Sequence, residues 1–223
     1  ITEYWVIARR IDRLEALCLP GINIKCLSMD LTSENYVNRL QSHLSEENAE
    51  VAVLINNAGC GFLGNFDTSS FAQQQQMIDL NVRALTAVTR TVLPYMSNGS
   101  RIINVSSIAS FVPNSRMTVY SATKAYVSFF SRGLHQELKP RNISVTAVCP
   151  GPMDTEFITL GGIKGHSKTF DVLPYCDPVK VVRGALRAAK KGRAVYTPVL
   201  FYKFYRILAK LLPQALLICA ATT

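Results

Sequence analysis

Short apolar runs alternate with longer amphipathic stretches along this chain. The apolar runs predict strands, at residues 4–8, 22–29, 51–55, 101–105, 143–148 and 194–197. The stretches between them have helical spacing and predict helices at residues 10–19, 69–96, 119–138 and 179–191. A further helix is predicted to end at about residue 48, with Thr32 or Ser33 as its N-cap. Strands that alternate with helices predict a parallel sheet covered by helices on both faces.

No linker, internal repeat or low-complexity segment interrupts this pattern. The run Val-Ala-Val-Leu-Ile at residues 51–55 contains no polar position, which is typical of a strand buried on both faces. With 223 residues and 48% hydrophobic composition, the chain can bury a full core. We therefore expect one α/β domain over residues 1–198, a doubly wound parallel sheet of the Rossmann-like type, followed by a helical tail.

The composition excludes several other classes. The six cysteines are widely spaced without a Cys-x-x-Cys pair, and the three histidines are scattered, so we predict neither a disulfide framework nor a metal site. Nothing at the start resembles a signal peptide, and free cysteines fit a reducing compartment, so a cytoplasmic location is expected.

Ligands of doubly wound sheets bind outside the carboxyl ends of the strands. At these strand ends the chain has polar or turn-forming residues: Arg9, Arg10, Asp30, Asn56, Asn57, Ser106, Ser107, Pro150 and Gly151. Tyr120 and Lys124, one helical turn apart, begin the helix after the fourth strand. On its own such a pair arises easily by chance, and two solvated side chains are then the better interpretation.

Taken in order, these residues resemble the short-chain dehydrogenase/reductase family. The resemblance rests on the Asn56-Asn57-Ala58-Gly59 strand end, Asn81 on the next helix, Ser107 thirteen residues before Tyr120, Lys124, and Pro150-Gly151 followed by Thr155. The ordered match extends from residue 4 to about residue 197. Such a set is far more specific than the Tyr–Lys pair alone.

The resemblance implies a catalytic tetrad of Asn81, Ser107, Tyr120 and Lys124. Tyr120 would be the general acid/base, and Ser107 would hydrogen-bond the substrate oxygen, with Ser106 as a less favoured alternative. Lys124 would hold the nicotinamide ribose and lower the pKa of Tyr120, since a nearby ammonium favours the phenolate. Asn81 would hold a water that links Lys124 to solvent.

The resemblance also implies a nicotinamide cofactor bound along the strand ends. Asn57, Ala58 and Gly59 would line its cleft and steady the central sheet. Asp30 would contact the adenine, with Leu31 beside it, and Thr155 would contact the carboxamide beyond Pro150 and Gly151. The alternatives are that Asp30 and Thr155 cap helices and that Gly59 is only a turn residue.

The end of the first strand indicates which cofactor is preferred. An acidic residue at this point binds the ribose 2′-hydroxyl of NAD, whereas this chain has Ala8 followed by Arg9 and Arg10. A guanidinium suits a 2′-phosphate by its charge and its forked donors. We therefore expect NADP(H), with Arg9 as the leading contact; two solvated arginines at a helix start are the alternative.

The family pattern opens with a strand and a glycine-rich turn into a helix, and the first residues of this chain already resemble the second strand. Roughly 35 residues of the pattern are thus absent from residues 1–223. Without that central strand and its helix, we expect unpaired strand edges, poor folding of this stretch alone and weak dinucleotide binding.

All of the net charge of +9 lies at one end of the chain. Residues 178–223 contain nine Lys or Arg and no Asp or Glu, and the rest is balanced. Residues 199–223 are both basic and apolar, with Lys203, Arg206 and Lys210 on one helical face. This tail would either cover the substrate cleft or a subunit interface, or lie on a membrane surface. No nucleic-acid motif accompanies the charge.

Together these features predict an oxidoreductase that transfers a hydride between NADP(H) and a carbonyl or alcohol. Apolar residues at 111, 112, 153, 157 and 160 favour lipid-like substrates such as 3-oxoacyl chains or steroids. The alternative is a non-catalytic, membrane-associated or scaffolding relative, against which the intact tetrad argues. The resemblance also implies a homodimer or homotetramer, associating through residues 69–96 and 119–138.

Overall fold

The computed structural model describes residues 1–163 and 165–220. Within them six strands alternate with helices, as predicted. The strands are β1 (Tyr4–Ala8), β2 (Ile24–Ser28), β3 (Val53–Asn56), β4 (Arg101–Val105), β5 (Ser144–Val148) and β6 (Val195–Tyr196). The α-helices are α1 (Ile11–Glu15), α2 (Tyr36–Glu46), α3 (Phe71–Ile78), α4 (Leu85–Val92), α5 (Thr118–Glu137), α6 (Glu156–Leu160), α7 (Lys168–Val172), α8 (Pro178–Lys190), α9 (Leu200–Leu211) and α10 (Gln214–Ala220).

All strand pairs are parallel, but the strands form two sheets. One has the order β1-β2 and the other the order β3-β4-β5-β6. Within the described part of the chain, β1 and β3 therefore each pair along one edge only. Ile55 of β3 is 51% exposed, so the expectation that this strand is buried on both faces is wrong. An edge strand has fewer elements packed against it.

Helices cover both faces of the four-stranded sheet. Ile102 and Ile103 are successive residues of β4, and their side chains consequently point to opposite faces. Ile102 packs with residues of α2 and α4, including Leu40 and Val88. Ile103 packs with residues of α8 and with Tyr202 of α9. The three-layer α/β architecture is thus confirmed, and Tyr202 of the tail belongs to one of the hydrophobic cores of the described chain.

Several element boundaries differ from the predicted ones. Helix α1 is shorter than residues 10–19, and Thr32 and Ser33 do not cap α2, which begins at Tyr36. Instead, Asp30 Oδ1 accepts hydrogen bonds from the backbone N–H of Thr32 (2.8 Å) and its hydroxyl (2.7 Å), which closes a turn before the helix. Local side-chain bonds of this kind compete with helix formation.

The long helical region predicted at 69–96 consists of α3, a π-helical turn at Asp79–Ala84, α4 and a short 3₁₀ turn at Leu93–Tyr95. Ser70 caps its start by accepting from the backbone N–H of Gln73. π-Helical turns are rare and occur frequently at functional sites. Among the described helices, none is long and apolar enough to cross a membrane.

Candidate active site

A cavity of about 440 Å³ lies beyond the carboxyl ends of β4 and β5, where the sequence predicted the site. Its walls come from the segment after β4, the first turns of α5, the loop after β5, and the tail. Predicted site residues that line it are Asn57, Gly59, Ser107, Tyr120, Lys124, Pro150, Gly151 and Thr155. The fold therefore gathers most of the proposed site around one space.

Tyr120 and Lys124 are both buried at the start of α5. The Lys124 ammonium donates to the backbone carbonyl of Val105 (2.9 Å), at the end of β4, and lies 5.8 Å from the centre of the Tyr120 ring. The Ser107 hydroxyl accepts from the backbone N–H of Ala109 (3.1 Å) and lies close enough to the Tyr120 phenol to lower its pKa. These contacts set a hydroxyl, a phenol and an ammonium side by side on the cavity wall.

Burial dominates the electrostatics of this pair. It raises the pKa of Tyr120 to about 12, although the nearby Ser107 hydroxyl opposes this rise. It also lowers the pKa of Lys124 to about 8. We expected Lys124 to bring the pKa of Tyr120 below its ordinary value. With only the protein groups present this expectation is wrong, because desolvation disfavours the charged form of both side chains.

Asn81 lies in the π-helical turn and joins three parts of the site. Its Oδ1 accepts from the backbone N–H of Cys60 (2.9 Å). Its Nδ2 donates to the carbonyl of Cys60 (2.8 Å) and to the hydroxyl of Thr123 (3.0 Å). Both N–H groups of the amide are used in the bonds to the loop after β3 and to α5, so this side chain fixes the position of both.

The adjacent serines have different surroundings. Ser106 is buried, and its hydroxyl donates to the carbonyl of Lys124 (2.8 Å) and shares a hydrogen bond with Ser128 (2.9 Å). It anchors α5 to the end of β4. Ser107 is only half-buried and contacts Tyr120. This geometry favours Ser107 over Ser106 as the serine that meets a substrate.

A network of buried amides holds the sheet behind the cavity. Asn56 Nδ2 donates to Thr89 (2.9 Å) of α4 and to Asn104 Oδ1 (2.8 Å), and Asn104 Nδ2 donates to Ser131 (2.9 Å) of α5. Asn56 thus performs the sheet-steadying role that was predicted for Asn57, Ala58 and Gly59. Those three residues are exposed, and Ala58 does not line the cavity.

Two glycines of the cavity lining lie against other side chains and leave little room for a Cβ. A Cβ at Gly59 would lie 3.0 Å from Asn81 Oδ1 and 3.2 Å from Lys124 Nζ. Gly151 is in close contact with the Tyr202 ring on its other side. The lining also offers the ammonium of Lys124 and the hydroxyls of Tyr120 and Thr155 as donors, which fits a ribose and a carboxamide.

The residues predicted for the adenosine half of the cofactor lie away from this cavity. Arg10 pairs with Glu156 (2.9 Å), which also pairs with Arg13. For the Arg9 guanidinium, no ion pair or hydrogen bond occurs with any described residue, and its charge helps to lower the pKa of Asp30, after the larger effect of Thr32. Leu31 packs against the core beside α2.

The predicted substrate side is only partly correct. Met153 and Phe157 line the cavity, and the Phe157 ring lies 5.5 Å from that of Tyr120. Phe111, Val112 and Leu160 do not line it: Val112 is buried in the interior, and Leu160 is exposed. Phe111 instead packs against Tyr205 of the tail, with ring centres 6.1 Å apart.

Four residues of the tail form part of the cavity wall. Phe201, Tyr202, Tyr205 and Leu217 all line it. Tyr202 is fully buried, and its hydroxyl donates to the carbonyl of Pro174 (2.7 Å). The predicted cover over the cleft is thus present, but no signal in the sequence identified which aromatic residues face inward.

Comparison with known proteins identifies the family. The family model for short chain dehydrogenases matches residues 5–160. The chain belongs to the short chain dehydrogenase family. It is 32% identical over 180 residues to the serine 3-dehydrogenase of Agrobacterium fabrum, covering 78% of this chain and 72% of that protein. Membership in the family makes the chain an oxidoreductase that uses a nicotinamide cofactor.

Two further relatives of this short chain dehydrogenase are informative. The very-long-chain 3-oxoacyl-CoA reductase-B of Danio rerio is 36% identical over 137 residues, which are 58% of this chain and 43% of the reductase. A short-chain dehydrogenase from Sphingobium yanoikuyae, solved in complex with NADPH, superposes with a TM-score of 0.80 at 30% identity, covering 96% of this chain and 85% of that one.

Proposed function

We propose that this short chain dehydrogenase reduces an apolar ketone or aldehyde with NADPH, or catalyses the reverse oxidation of the alcohol. The observation that carries this proposal is the grouping of Ser107, Tyr120 and Lys124 on one wall of a largely apolar cavity. Asn81 fixes the loop and the helix that position them. In this proposal Tyr120 is the general acid/base, Ser107 hydrogen-bonds the substrate oxygen and Lys124 holds the nicotinamide ribose.

The raised pKa of Tyr120, about 12, keeps its phenol protonated at neutral pH. A protonated phenol can donate to a carbonyl oxygen as negative charge develops there, which is the proton transfer that reduction requires. Bound reduced nicotinamide would supply the hydride. Ser107 lies close to the phenol and would orient the same carbonyl oxygen, while the Lys124 ammonium would stabilise the phenolate left after proton transfer.

The choice of NADP(H) rests on the first strand end. Ala8 stands where an acidic residue would bind the 2′-hydroxyl of NAD, and the exposed Arg9 keeps its guanidinium out of any ion pair among the described residues. Arg10, which pairs with Glu156, would have to exchange that carboxylate for the phosphate. Arg9 is therefore the leading contact with the 2′-phosphate, and the NADPH complex of the Sphingobium relative supports this choice.

The substrate class rests on the cavity walls. Met153, Phe157, Ile158, Phe170 and Phe201 surround the space in front of Tyr120, and they leave few polar groups to satisfy a hydrophilic substrate. A 3-oxoacyl chain, a steroid or another lipid-like ketone fits such walls. The likeness to a very-long-chain 3-oxoacyl-CoA reductase points in the same direction.

A homodimer or homotetramer is proposed as the assembly. Tyr126 and Phe129 of α5 are exposed, and Phe129 is 73% accessible, so this helix offers apolar area to a second copy. Sedimentation equilibrium of the wild type and of Phe129→Gln tests this association. A wild type that remains monomeric at high concentration would contradict it.

Kinetics with both cofactors and a panel of ketones test the proposed activity. We expect NADPH oxidation with long-chain apolar ketones, a lower KM for NADPH than for NADH, and weaker turnover of short polar ketones. Arg9→Ala should raise the KM for NADPH and leave that for NADH nearly unchanged, because only NADPH carries the 2′-phosphate. Equal changes in the two KM values would exclude Arg9 as the phosphate contact.

A further inference from the structure

Helix α9 has two apolar faces, and among the residues that the structure describes only one of these faces is covered. Tyr202 and Tyr205 point inward to the core and the cavity. On the opposite side, large apolar residues recur at the spacing i, i+4, i+7 and i+11, which places them on one helical face. They are Leu200, Phe204, Ile207 and Leu211, and they are 75%, 65%, 51% and 74% exposed.

The uncovered apolar surface continues past the end of α9. Leu212 and Leu216 are also exposed, at 42% and 65%, on either side of Pro213. Six large apolar side chains thus form a continuous stretch of the described tail with no protein contact that buries them. Patches of this kind mark interaction sites rather than ordinary surface.

Basic side chains run along the edge of this apolar face. Lys203 and Lys210 are seven residues apart, at helical positions between the inward and outward faces, and both are exposed. No described acidic residue pairs with either of them. The whole of residues 178–223 contains nine Lys or Arg and no Asp or Glu. Whatever covers the face therefore has to accept positive charge at its border.

The charge decides between a second copy of this chain and a lipid surface. Two copies that met through α9 would bring basic edges together without a compensating carboxylate from residues 178–223. An anionic lipid leaflet instead offers acyl chains to the apolar face and negative headgroups to the lysines. We infer that α9 and α10 dock this protein onto a membrane surface that contains anionic lipid.

The position of the tail gives the docking a consequence for catalysis, which rests on the proposed function. Phe201, Tyr205 and Leu217 line the active-site cavity, and they belong to the same two helices that carry the exposed face. A docked tail would set this wall of the cavity against the acyl-chain region. An apolar ketone dissolved in the bilayer would then enter between α9 and α10 without passing through water.

Vesicle co-sedimentation of the full chain tests the docking without any turnover. We expect binding to phosphatidylcholine vesicles that contain phosphatidylserine, and much weaker binding to vesicles of phosphatidylcholine alone. Lys203→Gln and Lys210→Gln should each weaken binding about fivefold, since a basic residue near an anionic leaflet contributes ~1 kcal/mol. Phe204→Gln and Ile207→Gln should each weaken it about tenfold, since a buried large apolar side chain contributes ~1.5 kcal/mol.

Two matched variants serve as controls. Phe71→Gln removes a phenylalanine of similar exposure (71%) at the start of α3, and Lys139→Gln removes an exposed lysine after α5. Both should bind vesicles like the wild type. Binding that does not depend on phosphatidylserine, or that the α9 variants leave unchanged, overturns the inference. So does a wild-type dimer that Phe204→Gln converts to a monomer while vesicle binding stays the same.

Kinetics separate failure of the docking from failure of the proposed function. Lys203→Gln should lower kcat/KM for a long-chain ketone delivered in anionic vesicles and leave kcat/KM for a short soluble ketone unchanged. Absence of turnover with every ketone would refute the proposed function but not vesicle binding. Equal turnover of the vesicle-borne ketone by wild type and Lys203→Gln would refute the route of entry.

Discussion

Replacement of Gly151 by alanine should destabilise the protein, because this glycine lies directly against the tail. A Cβ at this position would lie 2.2 Å from Cε2 and 2.4 Å from Cζ of the Tyr202 ring. Non-bonded carbon atoms favour about 3.5–4.0 Å, so the ring would have to retreat by more than ~1 Å. Tyr202 is fully buried and packs against Val148, Cys176 and Val181, so a shift of its ring disturbs the surrounding core.

The cost has two sources. Overpacking of a tight interior costs ~1–3 kcal/mol. Movement of the ring also weakens the hydrogen bond from the Tyr202 hydroxyl to Pro174, which contributes ~1 kcal/mol. The free energy of unfolding should therefore fall by ~2–4 kcal/mol, equivalent to a decrease in Tm of roughly 5–15 °C for a chain of this length.

Urea and thermal unfolding of Gly151→Ala measure this effect, and Gly133→Ala is its matched control. A Cβ at Gly133, within α5, would meet no atom within 4 Å, so this substitution should stabilise the helix by ~0.5–1 kcal/mol. Tyr202→Ala should make Gly151→Ala nearly neutral in the double variant. The packing of α9 on the loop after β5 is refuted if Gly151→Ala stabilises the protein, or if the effects of Gly151→Ala and Tyr202→Ala are additive.

Two further predictions concern stability. The pKa of Lys124 is about 8 in the folded protein and 10.5 ordinarily. Between pH 8 and pH 10.5 the unfolded chain therefore binds more protons than the folded protein, and this group makes the free energy of unfolding rise with pH across that interval. Lys124→Met should remove a rise of up to ~3 kcal/mol, and parallel pH profiles of the two proteins would contradict the lowered pKa. Asn104→Ala should lower the free energy of unfolding in urea by ~2–4 kcal/mol, because Asn56 and Ser131 lose a buried partner. Asn98→Ala, at an exposed position, is the control and should change it by less than ~0.5 kcal/mol. Equal effects of the two substitutions would show that the amide network contributes little.

The layer order and the grouping of Ser107, Tyr120 and Lys124 could be predicted because they are encoded in short patterns along the chain. The run Arg101–Val105 gave strand β4 with its observed bounds, and Ser107, Tyr120 and Lys124 follow it at fixed distances along the chain. Their meeting on one cavity wall then follows from the parallel order of the strands. Sequence patterns can reveal site residues of this kind, because their spacing along the chain is fixed.

The remainder depends on contacts between distant segments. Tyr202 reaches Gly151 from more than 50 residues away, and Glu156 pairs with Arg10 across 146 residues. Neither contact has a local signature. The Val105 carbonyl that accepts from Lys124 belongs to the backbone, so residue types carry no sign of it. The raised pKa of Tyr120 likewise reflects burial, which requires the packed structure.

Turnover by Tyr120→Phe, measured beside NADPH binding, tests the central claim most directly. The variant lacks only the phenolic hydroxyl, so the ring contact with Phe157 and the fold should be retained. We predict that kcat falls about 100- to 10,000-fold, as expected for loss of a general acid, while the Kd for NADPH stays close to that of the wild type. Turnover near the wild-type level, with NADPH bound equally well, would contradict the assignment of Tyr120 as the proton donor.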